Sequence, residues 1–291
     1  IFSDDGKCVA DPLIMRRALE YVKTFNGVIA QHAQEPRLTI NAQMNEGSVS
    51  ARIGLPGWPA IAEEAIIARD ILLAEHVQSR LHICHVTTAG GVELIRWAKQ
   101  RGIQVTAEVT PHHLLLTDEL VENYDPIYKV NPPLRTEKDV WALREGLAEG
   151  VIDIVATDHA PHPAEDKDCE WQAAAFGMVG LETALSVVIK TMIESKLMGW
   201  KELVDRMSIK PAQIAGYKTQ GQSIALSSVA NLILVDPVAT WQVERSKLHS
   251  KSRNTPFHGM ELPGLISDVI YNGAQSMIAS KVVKVASGSN E

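Results

Sequence analysis

Short β-branched runs alternate with longer amphipathic ones along the first two thirds of the chain. Asp11 to Thr24 has helical spacing, with Asp11 placed to cap the helix and Pro12 at its first position. Gly27 to His32 reads as a buried strand, Trp58 to Val77 as a long helix, and Arg80 to His85 as the next strand. Gly91 to Arg101 is predicted helical, Ile103 to Val109 a strand, and Glu137 to Glu149 helical. Val151 to Thr157 is again a strand, and Leu181 to Ser195 a helix.

This order predicts a parallel sheet with crossover helices. Five strand ends can be counted, near Asp5, His32, His85, Thr110 and Asp158. A closed (β/α)8 barrel needs eight strands. The expectation is therefore a TIM-type barrel whose first three strands lie outside this sequence, as the opening on Ile1 also suggests. A doubly wound open sheet is disfavoured, because no glycine-rich phosphate turn follows any strand. After residue 222 the pattern changes. Val229 to Pro237 and Ser267 to Gly273 read as short strands separated by a polar, basic stretch, Ser246 to Asn254. The expected division is a barrel over 1–222 and a β-rich appendage over 223–291.

Composition narrows the chemistry. The 291 residues are 45% hydrophobic and carry a formal net charge of -7, which argues against nucleic acid as a partner. No apolar run approaches the ~20 residues of a membrane span, and no signal-peptide pattern is visible. Cys8, Cys84 and Cys169 are few and widely spaced, which fits a reducing cytoplasm.

The polar residues gather at strand ends, where barrels of this kind keep their function. Asp5, His32 and His85 end three strands; His112 and His113 follow the fourth, and Asp158, His159 and His162 the fifth. Carboxylates converging on one mouth would repel one another, and a divalent metal removes that conflict. Imidazole and carboxylate without thiolate suit zinc or a similar ion. A carboxylate such as Asp158 can then move a proton between water and a leaving nitrogen.

Six segments occur in order: Phe2-Ser-Asp-Asp-Gly6, Ala30-Gln-His-Ala33, His82-Ile-Cys-His-Val-Thr-Thr-Ala89, Glu108-Val-Thr-Pro-His-His113, Val130-Asn-Pro-Pro-Leu-Arg135 and Ala156-Thr-Asp-His-Ala-Pro-His162. Together they resemble the bacterial class I dihydroorotases of the amidohydrolase superfamily, and Phe176 to Thr183 extends the likeness. The resemblance implies reversible cyclisation of N-carbamoyl-L-aspartate to dihydroorotate by a metal-activated hydroxide, with one or two zinc ions per subunit. It implies Asp5, His32, His85 and Asp158 as metal ligands, with Asp5 bridging two metals and Asp158 also the general acid and base. Asn131, His162, Phe176 and Gly177 would hold the substrate.

Other readings follow from the same residues. Asp4 or Asp5 could simply shape a turn, and Asn131 could be a turn residue before Pro132. His82, three residues before His85, is expected to face the helical layer and to be structural. His112 and His113 receive no catalytic role, and His249 and His258 are expected at the surface. The segment 163–175 has few apolar anchors and is expected to be mobile. The family's His-x-His-x-x-Arg motif does not occur here, so this chain by itself is expected to have little or no activity. The alternatives are a hydantoinase or allantoinase, or a non-catalytic partner of aspartate carbamoyltransferase. A homo-oligomer is also expected.

Overall fold

The carboxylate of Asp11 accepts from the amides of Leu13 at 2.8 Å and Ile14 at 3.0 Å, and this cap starts α1 (Pro12–Lys23). The computed structural model describes residues 1–283. In α1, Met15, Leu19 and Val22 recur at helical spacing and are buried against the layer behind the sheet. The chain then enters β1 (Val28–Gln31), passes a small excursion formed by β2 (Met44–Asn45), α2 (Ser48–Ile53) and β3 (Gly57–Trp58), and returns through α3 (Ile61–Val77) to β4 (Arg80–Ile83). After β4 come α4 (Ala89–Gln100), β5 (Val105–Val109), α5 (Glu137–Glu149), β6 (Ile154–Val155) and α6 (Ala164–Lys167).

The main sheet has the order β1-β4-β5-β6 and is parallel throughout. Phe2 adds one more parallel position: its amide donates to Val28 O at 2.9 Å, and its carbonyl accepts from Ala30 at 2.8 Å. The five predicted strand ends therefore lie side by side in chain order. Leu81, Ile83, Val105, Ala107 and Val109 point from this arc into the apolar layer formed with Ile66, Ile67, Ile71 and Ile95 of the helices. The opposite face carries Ala30, His82, Thr106 and Glu108, the lumen side.

Two predicted boundaries shift for a physical reason. The long helix begins at Ile61, because Trp58 pairs with Asn45 in the short ladder β2–β3. That ladder is too short to leave a periodic signal. The helix expected to end near Ser195 is observed as α7 (Ala184–Val188) continued by a π-turn over Ile189–Ile193, and α8 (Trp200–Val204) and α9 (Lys210–Ala215) follow.

The last part forms an antiparallel sheet, β7 (Leu232–Gln242), β8 (Glu261–Tyr271), β9 (Ala274–Ile278) and β10 (Lys281–Val282), in the order β10-β9-β8-β7. β7 runs past Pro237, where the register shifts between Asp236 and Thr240 and Asp236 caps the amides of Val238 and Ala239. The connection between β7 and β8 does not stay with the sheet. Val243 and Phe257 pack with Leu116, Val130 and Met178 of the barrel side. A division at 222/223 is thus a proposal that the start of the second sheet supports and this returning connection blurs; residues 284–291 of the expected appendage lie outside the described residues. No helix among the described residues is long and apolar enough to cross a membrane.

Candidate active site

At the end of β1 the ring of His32 is buried, and at the end of β4 so is that of His85. Their rings meet edge to face, with centroids 4.7 Å apart and His32 Nδ1 3.0 Å from His85 Nε2. Asp5, beyond the Phe2 position, brings Oδ1 to 3.7 Å from His85 Nε2. One ligand atom from each of these three residues lies within 4.8 Å of the other two. Asp4 instead closes a turn, its carbonyl accepting from Lys7 at 2.9 Å. His85 reaches its place only by a left-handed backbone, φ 32°. A side chain there costs about 1–3 kcal/mol.

The electrostatics suit metal ligation. Burial, and then the charge of His85, pushes His32 down to about 4, so its ring is neutral with a lone pair to offer. The nearby ring of His85 holds the Asp5 carboxyl below its ordinary value. Burial works against a charged His85, but Asp5, Asp158 and Glu108 outweigh it and raise this ring. His85 Nδ1 is buried and has no hydrogen-bond partner. Two imidazoles and a carboxylate with ligand atoms this close together form a donor set that fits a divalent cation.

Carboxylates behind the strand ends hold this cluster. Glu108 of β5 takes His82 Nε2 at 2.9 Å on one oxygen and the amide of His85 at 3.3 Å on the other. Burial alone would raise Glu108, yet the hydrogen bond and charge of His82 bring it below its ordinary value. His82 thus faces the lumen, bonded to Thr106 Oγ1 at 2.8 Å, and not the helical layer as its spacing from His85 suggests. The strand ends at Ile83, and the turn through Cys84 to His85 resets the alternation. On the other side, buried Glu63 of α3 accepts from the amides and hydroxyls of both Thr87 and Thr88. Arg135, fully enclosed, donates to Thr87 Oγ1, Asn45 Oδ1 and Trp58 O.

The second side of the mouth is built on connections. Asp158 follows β6 at φ 45°, again left-handed. It stands outside the close cluster of three, but near enough that His85, Asp5 and Glu108 all act on it. Burial raises its carboxyl; His85 opposes, while Asp5 and Glu108 add to the rise. His159 accepts from the amide of Gly180 at 3.1 Å and so anchors the turn. His162 Nε2 lies 2.8 Å from Phe176 O. Gly177 (φ 135°) leaves no room for a side chain: a Cβ would come within 2.6 Å of Ala160 Cβ and 2.8 Å of His162 Nε2. Asn131 Nδ2 reaches Gln34 Oε1 at 3.4 Å, and its Oδ1 is buried without a partner. Gln34 Oε1 also lies 2.8 Å from His32 Nε2, so it joins the two sides. A cavity of about 510 Å³ opens beside His162 and is also lined by Tyr128, Lys167, Arg253 and Asn254.

His112 and His113 are buried beneath this floor. His113 bonds Thr110 Oγ1 at 2.7 Å and lies 3.1 Å from Pro132 O, next to Asn131. His249 is exposed and pairs with Glu182, and His258 is exposed as well. Sequence reasoning passed over Gln34, Glu63, Glu108, Lys129, Lys167 and Asn254. Gln34, two residues beyond His32, and Glu108, which opens the fourth of the ordered segments, carried a usable signal. Asn254 donates to Ala160 O at 2.8 Å and Gly177 O at 3.2 Å from a distant segment that shows no local pattern.

Residues 14–275 match the Amidohydrolase family. A dihydroorotase of Streptomyces coelicolor is 66% identical over 282 residues, which are 97% of this chain and 66% of that protein. One from Mycobacterium tuberculosis is 54% identical over 273 residues, 94% of this chain and 64% of the relative. The chain thus spans about two thirds of the length of the curated relatives it matches. Among solved structures, an L-hydantoinase (dihydropyrimidinase) from Arthrobacter aurescens superposes with TM-score 0.85 at 27% identity, over 94% of this chain and 62% of that one. A dihydropyrimidinase from Brevibacillus agri, 22% identical with TM-score 0.84 over 97% of this chain and 63% of that one, shares the fold. Parallel strands with imidazole and carboxylate groups at adjoining ends, an antiparallel sheet after them and a family match over most of the length lead to one placement: the chain belongs to the amidohydrolase family of metal-dependent TIM-barrel hydrolases.

Proposed function

We propose that the protein carrying this chain is a dihydroorotase that opens and closes the ring of dihydroorotate. The observation that carries the reading is the meeting of Asp5, His32 and His85 at adjoining strand ends, in a chain 66% identical to a protein named dihydroorotase. Zinc is the metal we propose, one or two ions per subunit, held by these three residues and Asp158. Two imidazoles and carboxylates without thiolate favour it. When bound, such an ion polarises an amide carbonyl and makes water nucleophilic near neutral pH.

The chain's own residues then have separable tasks. Water oxygen adds to the ring carbonyl carbon, and the ring C–N bond breaks. Asp158 takes the proton from the water and returns it to the leaving ring nitrogen. Asn131 offers its unpaired buried oxygen to a ring N–H, His162 meets the substrate carboxylate, and the backbone of Phe176 and Gly177 borders the ring. An aspartate, Asp5, occupies this strand end, and Lys7, the nearest lysine in sequence, is exposed. A bridging carboxylated lysine, as the hydantoinase reading would require, therefore has no residue to form it at this strand end. The free thiols Cys8, Cys84 and Cys169 are in keeping with a cytoplasmic setting.

The test is turnover of dihydroorotate and of a 5-substituted hydantoin by the complete gene product with zinc. Dihydroorotate is expected to be the better substrate, and Asp158→Asn to lower its turnover by about 1,000-fold with the fold retained by circular dichroism. Preference for the hydantoin would overturn the substrate, and near-normal turnover by the variant would overturn the role of Asp158.

A further inference from the structure

Lys129 and Lys167 are buried, and neither meets a carboxylate among the described residues. Lys167, at the end of α6, donates from Nζ to Ala175 O at 2.9 Å, Lys129 O at 3.1 Å and Gly177 O at 3.1 Å. An ammonium has three protons, and here each has one carbonyl. Lys129 Nζ donates to Trp171 O at 2.7 Å and Gln172 O at 3.2 Å, and it lies 4.5 Å from the centre of the Phe176 ring. The carbonyl of Lys129 receives a second donor, the amide of Gly177 at 2.9 Å.

Burying two charges without counter-charges is costly, and a methionine of similar length would fill the same space more cheaply. What methionine lacks is three directed donors. The carbonyls so tied belong to the stretches on either side of the candidate ring site: Lys129 stands two residues before Asn131, and Ala175 and Gly177 enclose Phe176. The segment 163–175, expected to be mobile, is also tied at Ala175, whose amide donates to Asp166 O at 2.9 Å, and at Trp171, which is buried.

We propose that Lys167 is a positioning residue: its ammonium fixes the backbone at Lys129, Ala175 and Gly177 so that Asn131 and the Phe176–Gly177 pair meet the substrate ring in one arrangement. This rests on reading those three residues as substrate contacts. Burial, and then Lys129, brings Lys167 down to about 8, while Asp125 and Cys169 oppose the fall. Above that pH the amine keeps two protons for three carbonyls, so the arrangement loosens.

The experiment measures KM and kcat for dihydroorotate below and above pH 8 with the zinc-loaded complete gene product, as wild type, Lys167→Met and Lys167→Arg. Wild-type KM should rise as pH passes 8. Lys167→Met should hold KM about 10-fold higher at both ends with kcat changed far less, as expected when a contact made equally to substrate and transition state is weakened. Lys167→Arg stays charged. It should recover part of the low KM and lose the inflection. Wild-type KM in Lys167→Met, or an unaltered inflection in Lys167→Arg, overturns the proposal. If Lys167→Met does not fold, the pH profile of Lys167→Arg decides alone. Absence of dihydroorotate turnover by the wild type overturns the functional reading and this inference with it, whereas turnover with an unmoved KM in the variants overturns the inference alone.

Discussion

Asp5, His32 and His85 stand at the ends of paired parallel positions, whereas Asn131, His162, Phe176 and Gly177 stand on connections between elements. The first group is held from behind by anions: Glu108 grips the His85 amide, and Glu63 grips Thr87 and Thr88. The second group is held by cations, with the ammoniums of Lys129 and Lys167 gathering carbonyls. The difference follows from which backbone groups lack partners. Past the end of a parallel strand and before a helix, amides are left over and call for acceptors. In an irregular connection packed beneath a site, carbonyls are left over and call for donors.

Three substitutions probe that contrast. The largest effect is expected for Glu63→Gln. The new amide group would face donors where the carboxylate accepts four hydrogen bonds, and stability should fall by about 3 kcal/mol in denaturant unfolding. A loss below about 1 kcal/mol would show that the strand ladder alone holds this side. Next comes Glu108→Gln, which keeps the shape but weakens the grip on His82 and the His85 amide. Zinc affinity, read by competition with a chelator, should drop about 10-fold. Unchanged affinity would remove Glu108 from the support of the metal ligands. The smallest is Asp11→Ala, which removes the cap of α1 and should cost about 1 kcal/mol while leaving zinc affinity alone. A fall in zinc affinity here would mean that the α1 cap, and not only the strand ends, sets the position of Asp5.

The same contrast explains what could be read in advance. The strands ending at His32, His85 and Val109 were legible because buried parallel strands are apolar runs between amphipathic helices. The excursion β2–β3 was not, since two-residue strands carry no period. His82 was assigned to the wrong face because counting back from His85 assumes an unbroken strand, and the left-handed turn at His85 breaks it. Asp5 was preferred to Asp4 only through the resemblance to the dihydroorotases, and the structure brings Asp5, not Asp4, close to His32 and His85. The lysines were invisible for another reason. A lysine in a polar stretch reads as a solvated side chain, and nothing local reveals that Lys167 meets carbonyls at Lys129 and Gly177.

His85 and Asp158 both hold their side chains on left-handed backbone, at φ 32° and 45°. Selection for heat resistance and selection for chemistry therefore pull in opposite directions at these two places. Glycine would relax either turn, so a screen that scores folding alone would drift toward it and discard the imidazole or carboxylate of the proposed site. Thermal robustness in this barrel has to be gained elsewhere, at helix caps and surface turns, because these two left-handed strand ends carry residues of the proposed site.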